Sequence, residues 1–127
     1  MNIIFGIFLV MHAFVHLLYA GQSLRFFELR PSLAWPDGAW AFSFLLGEPA
    51  IRWLAAVSLA LVALGFLSAA AGLFIAAGWA RPLTLGAAGL SVLIYLLFWD
   101  GKFHVLPDQG VIGLLISLGI LIAIWEV

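Results

Sequence analysis

Four long apolar runs, separated by polar and turn-rich stretches, set the frame of this chain. They cover about residues 2–20, 51–77, 82–99 and 111–125. Each is close to the roughly 20 residues that carry a helix across the hydrocarbon of a bilayer. The second run is longer than a crossing needs, so it is free to tilt or protrude. The expectation is an all-α integral membrane protein: a four-helix transmembrane bundle forming one domain over residues 1–127.

The connections predict further elements. The stretch Gln22–Leu29 contains no helix breaker and Pro31 is the first stop, so the first helix is expected to outlast the membrane as far as about Leu29. Trp35-Pro36-Asp37-Gly38 reads as a turn in which Asp37 caps a short helix. That helix carries Trp40, Phe42, Phe44, Leu45 and Leu46 and ends at Gly47. So many aromatics place it in the membrane interface or folded back onto the bundle. Pro49 suits the first turn of the next helix. The second connection, Gly78–Arg81, is tight enough to pair spans two and three as an antiparallel hairpin, and the third, Asp100–Gly110, is polar. Small residues recur at helical spacing: Gly65, Ala69, Gly72 and Ala76 on span two, Gly86 and Gly89 on span three, Gly113 and Ser117 on span four. Such ladders let helix backbones approach where lipid removes the hydrophobic drive, either within one bundle or between copies.

Composition sharpens this. Of 127 residues, 66% are hydrophobic and 9% charged, with a mean hydropathy of +1.23. A soluble domain of this length has no interior large enough for that apolar surface. The net charge is −1 and the five Lys and Arg are dispersed, so no basic patch invites nucleic acid. No cysteine is present, which excludes disulfides, thiolate metal sites and thiol redox chemistry by this chain alone. Met1-Asn2-Ile3-Ile4 lacks the basic start of a signal peptide and Leu18-Tyr19-Ala20 is a poor cleavage site, so the first span reads as a retained membrane helix.

Four crossings put both termini on one side and the first and third connections on the other. That other side carries Arg25, Glu28, Arg30, Asp37, Glu48, Arg52, Asp100, Lys102, His104 and Asp108, against Arg81 and Glu126 at the terminal side. The positive-inside rule then places the polar connections in the cytoplasm of a multi-pass cell-membrane protein.

The candidate chemistry lies on the first span. His12 and His16 are one turn apart and share a helix face, which continues through Tyr19 and Ser23 toward Arg30. Ionisable groups at membrane depth normally face a bundle interior or a water-filled cavity. Three readings follow: both imidazoles lock the bundle by hydrogen bonds, or they serve a small ligand or a proton, or they bind metal. The zincin motif needs Glu after its first histidine, where this chain has Ala13. His104, with Asp100 or Asp108, is the remaining source of further ligands. Two histidines on one face cannot take opposite sides of a haem, so a haem would require two copies.

Arg25, Glu28, Arg30, Glu48 and Arg52 cluster near the ends of spans one and two. They suit either an anion site or interfacial ion pairs, with Glu28 as the expected acid. Tyr95 is placed to donate into the bundle, Phe98 and Trp99 to anchor the interface, and Asp100 to start a turn. Ser58, Ser68, Ser91 and Ser117 sit in apolar spans, where hydrogen bonding back to their own helix is the default. No nucleotide-binding glycine loop, nucleophile elbow or catalytic-triad order is present.

The whole-chain layout resembles the DoxX-like group of small four-span membrane proteins. The resemblance rests on a histidine-bearing first span, a long first and a tight second connection, and Trp99-Asp100-Gly101 with Asp108-Gln109-Gly110 before a glycine-bearing last span. Members of the group are membrane partners of redox enzymes, including quinone-linked sulfur oxidation. The resemblance implies an accessory or quinone-associated role and transfers no catalytic residue. The leading expectation is therefore a non-catalytic accessory subunit or binding protein for an amphipathic small molecule, quinone-like or lipid, at the charged end of the bundle. His12, His16, Tyr19 and Tyr95 would line the site, and Arg25, Arg30, Asp100 and His104 would rim it. Membrane lipid and a protein partner or second copy are the expected neighbours, with no resident cofactor beyond a bound quinone or lipid. The alternatives are a proton-coupled transporter or membrane enzyme using His16 and a carboxylate, and an oligomeric channel.

Overall fold

The computed structural model describes residues 2–31, 33–103 and 106–127. Among them the chain is all α: α1 (Asn2–Ser23), α2 (Glu48–Phe74), α3 (Ala80–Leu97) and α4 (Val111–Ala123). A 3-10 turn over Leu106–Gln109 precedes α4, and another over Ile124–Glu126 extends it. The first three helices are long and apolar enough to cross a membrane, while the apolar stretch Val111–Glu126 is shorter.

Helices adjacent in sequence pack side by side, α1 on α2, α2 on α3 and α3 on α4, whereas α1 and α4 barely touch. The core is lined largely by small residues: Ala13 of α1, Ala55, Ala63, Ala69 and Ala70 of α2, and Ala87 and Ala88 of α3. Such residues bring backbones close, which is how helices associate where lipid competes equally for apolar surface. Gly65 shows how close: a Cβ there would stand 3.1 Å from the Ala87 Cβ. Gly113 likewise lies directly under the Tyr95 ring. Gly86 and Gly89 meet nothing within 4 Å, so only part of the small-residue pattern serves contacts inside the bundle. The outer surface is apolar, with Ile4, Met11 and Leu18 of α1, Leu61 and Leu64 of α2, and Ile122 at the end of the chain exposed. On α1 the polar residues His12, His16, Gln22 and Ser23 are buried instead, which is the polarity expected of a helix surrounded by lipid.

Two expectations are corrected. The first helix ends at Ser23, not near Leu29. Arg25 takes a left-handed conformation (φ 61), and the chain closes a Schellman motif with Phe26 N–H on the Gly21 carbonyl (3.0 Å) and Arg25 N–H on that of Gln22 (3.0 Å). A left-handed L-residue costs roughly 1–2 kcal/mol. The Arg25 side chain offsets that cost, donating to the carbonyls of Gln22, Ala34 and Trp35, each at 2.8 Å. The second correction concerns the first connection, which contains no helix over residues 40–46 but a string of turns. Isolated bonds such as Ser43 N–H to Ala39 O (2.9 Å) and Leu46 N–H to Phe42 O (2.8 Å) do not propagate. Helix nucleation is costly, and two local resources are used elsewhere. The Trp40 N–H donates to the Trp99 carbonyl at 2.8 Å. The expected cap, Asp37, is held in ion pairs with Arg25 and Arg52.

Candidate functional site

The two histidines stand at the centre of the bundle, 3% (His12) and 0% (His16) exposed. Their rings meet nearly at right angles, 4.6 Å between centroids. Phe66 of α2 covers both, at 5.1 Å from His12 and 5.4 Å from His16. Each imidazole reaches across to another helix. His16 Nε2 lies 2.7 Å from Ser91 Oγ of α3, and His12 Nε2 lies 3.0 Å from Ser117 Oγ of α4. The two serine oxygens are themselves 2.8 Å apart. His16 Nδ1 is 2.9 Å from the carbonyl of His12.

The direction of every bond follows from one acceptor. A carbonyl only accepts, so His16 Nδ1 carries the hydrogen, and in a neutral ring Nε2 then accepts from the Ser91 hydroxyl. Ser91 must then accept from Ser117, and Ser117 from His12 Nε2–H. With both imidazoles neutral, the circuit His12–Ser117–Ser91–His16 returns to the His12 backbone. Only His12 Nδ1 finds no partner.

Ser91 and His16 stand at the separation of a nucleophile and its base. A triad, however, needs a carboxylate behind the base to stabilise the imidazolium, and here a backbone carbonyl takes that place. Among the described residues no group of three or more His, Asp or Glu is placed to hold a metal ion. The arrangement pairs all of its polar atoms except His12 Nδ1 and joins three helices.

Ser91 and Ser117 thus depart from the expected back-bonding, which Ser58 does show toward the Leu54 carbonyl at 2.7 Å. A usable signal was present: Ser117 lies one turn beyond Gly113, on the packed face of α4.

Toward the charged end, Tyr19, Trp35 and Tyr95 form an aromatic group, with Tyr19 5.2 Å from Trp35 and 5.8 Å from Tyr95. Trp35, contributed by the first connection, is completely buried and fills the mouth of the bundle. Its role was not apparent from sequence. The Tyr19 hydroxyl donates to the Pro107 carbonyl (3.2 Å) and ties the third connection down.

Arg25 belongs to a separate cluster. Its guanidinium lies 3.1 Å from Asp37, and Arg52 grips the same carboxylate with a fork at 2.8 and 2.6 Å. Partial burial pushes the Asp37 carboxyl up, but the Arg52 hydrogen bonds and the charges of Arg25 and Arg52 outweigh it and hold the group below the ordinary carboxylate range. Gln22 completes the clamp, donating to the Leu33 carbonyl (3.1 Å) and accepting from Leu29 N–H (2.8 Å). Asp37, rather than Glu28, is the acid that both arginines share.

The other predicted residues lie apart. Arg30 is exposed in the first connection. Asp100 accepts from the Lys102 N–H (2.9 Å) and shapes its own turn. His104 lies outside the described residues. What the charged end does offer is a hollow of about 230 Å³ between the end of α3, the Leu106–Gln109 turn and the start of α4. Tyr95, Leu96, Trp99, Gln109 and Leu114 are among the residues around it. Of the sequence-predicted residues that are described, only Tyr95 borders it, and Gln109 was not foreseen. Comparison with protein-family models, with curated proteins and with solved structures finds no match to this chain.

If the circuit ties α1 to α4, His12→Phe and Ser117→Ala are coupled in a double-mutant cycle. Roughly 0.5–2 kcal/mol of coupling is expected from thermal unfolding in lipid nanodiscs, and additivity would refute the bond. The Asp37 cluster makes a pH prediction. Because its folded pKa is depressed, the charge contribution is fully present above the unfolded value of about 3.9 and is lost as pH falls through the folded value. The stability gap between the protein and Asp37→Asn is therefore full at neutral pH and closes below about pH 4. A gap independent of pH would show that the ion pairs contribute nothing.

Proposed function

We propose that this chain is a four-span membrane protein that binds an amphipathic small molecule, quinone-like or lipid, at the charged end of its bundle and acts as an accessory subunit to a partner. One observation carries the reading: the hollow between α3 and α4, walled by apolar and aromatic side chains with two polar groups at its edge. Ligand sites in helical bundles have this character, mostly apolar with a few polar groups that orient the guest. An engineered cavity of about 150 Å³ accommodates benzene, so this hollow has room for a ring with a short chain. The expected histidine-lined cavity is not the seat of this proposal, since His12 and His16 are committed to Ser117 and Ser91.

The fourth crossing is supported by depth. Ser117 of α4 bonds to His12 of α1 and Ser91 of α3, so α4 lies level with two helices that are long enough to span. At 1.5 Å per residue, residues 111–126 extend about 24 Å, a shortfall that local thinning of the bilayer or flanking anchors accommodate. Arg25, Arg30, Arg52 and Lys102 at one end, against Arg81 at the other, favour polar connections in the cytoplasm and termini outside.

Binding is tested by filling the hollow. Leu114→Trp should abolish retention of co-purifying amphiphiles, measured by mass spectrometry of protein extracted into nanodiscs, without loss of the folded bundle. Unchanged retention in a folded variant would sink the binding reading. Orientation is tested with a reporter active only in the cytoplasm: fused to either terminus it should be silent, and activity would invert the assignment.

A further inference from the structure

Two residues that border this hollow each carry a buried polar atom with no hydrogen-bond partner: the hydroxyl of Tyr95 and the Oε1 of Gln109. An unsatisfied buried polar group costs about 1–3 kcal/mol, and proteins leave few of them. Tyr95 cannot easily turn away. Tyr95 is 2% exposed and its ring is wedged against α4, where a Cβ at Gly110 would run into the ring and one at Gly113 would stand 2.9 Å from the hydroxyl. The ring also touches His16, Tyr19 and Trp35, at 5.6, 5.8 and 6.3 Å between centroids. Gln109 is held less firmly, half-buried on the 3-10 turn that closes the hollow.

The two groups are complementary in kind. Tyr95 presents an O–H that lacks an acceptor, and Gln109 presents a carbonyl oxygen that lacks a donor. A hydroxyl answers both, because it accepts one hydrogen bond and donates another. An ether or ketone head answers Tyr95 alone, and a hydrocarbon answers neither.

Resting on the binding reading above, we infer that the α3–α4 hollow takes an amphiphile whose polar head is a hydroxyl, an alcohol or phenol, accepting from Tyr95 and donating to Gln109 Oε1. The walls formed by Leu96, Trp99 and Leu114 hold its apolar body. Both polar atoms are shut off from water, so entry of the head requires the Gln109 amide to swing aside. The turn it stands on is anchored at Pro107 by Tyr19, which leaves that side chain as the moving part.

The test compares 4-propylphenol, 4-propylanisole and propylbenzene, which differ only in the head. Binding to the full chain in nanodiscs is read by equilibrium dialysis, with Leu114→Trp, or Val111→Phe if the first misfolds, correcting for partition into lipid. The phenol should bind about tenfold more tightly than the anisole, and the anisole more tightly than propylbenzene. Gln109→Leu should erase the preference for phenol over anisole. Tyr95→Phe should weaken both while leaving that preference in place. Equal binding of all three probes, abolished by the filling variant, would overturn the head assignment and leave the hollow as a binding site. No difference between the protein and its filling variants for any probe would overturn the binding reading itself. Equal loss of stability in Tyr95→Phe, Gln109→Leu and their double variant, with no preference among probes, would mean that the two groups pair with each other and would also refute the assignment.

Discussion

Polar groups buried inside an apolar bundle need partners within the chain, and the circuit of His12, Ser117, Ser91 and His16 is how this protein meets that requirement. Because each hydrogen in it has one possible direction, the circuit fixes the rotation of α1 relative to both α3 and α4. It acts where backbone contact is sparse, since α1 barely touches α4 and touches α3 still less. The second helix adds no polar group there. It contributes Phe66, whose ring seals the imidazoles from one side.

The same requirement organises the charged end. The first connection is not helical, so its carbonyls need donors from elsewhere. Arg25 supplies three carbonyls and one carboxylate, and Gln22 supplies another carbonyl. Charges that read as a rim for an anion are used to hold the loop against the bundle. Trp35 is thereby placed in the mouth, over the histidine layer. Among the described residues four buried polar atoms stay outside this pairing, His12 Nδ1, Trp35 Nε1, the Tyr95 hydroxyl and Gln109 Oε1, and the last two belong to residues that border a space large enough for a guest.

Much of the fold was legible. Hydropathy located all four helices to within a few residues, since each is apolar along its length. The shared face of His12 and His16 was also legible, being a property of helix geometry. The end of α1 was not, because its stop uses Arg25 in a conformation normally left to glycine. That conformation is sustained by carbonyls at Ala34 and Trp35, in a loop whose course the sequence does not reveal. The missing interfacial helix has the same origin, in the capture of Asp37 by arginines from two other segments.

The sequence by itself determined that this chain is helical, with helices apolar enough to cross a membrane, and that α1 gathers its polar residues on one face. Composition and periodicity decide these, residue by residue. Which groups answer that polar face was decided only by the tertiary structure: Ser117 lies 105 residues from His12, and Ser91 lies 75 from His16. A serine in an apolar helix bonds to its own backbone as readily as to a neighbour. Only the arrangement of helices, by bringing an imidazole within reach, chose between the two.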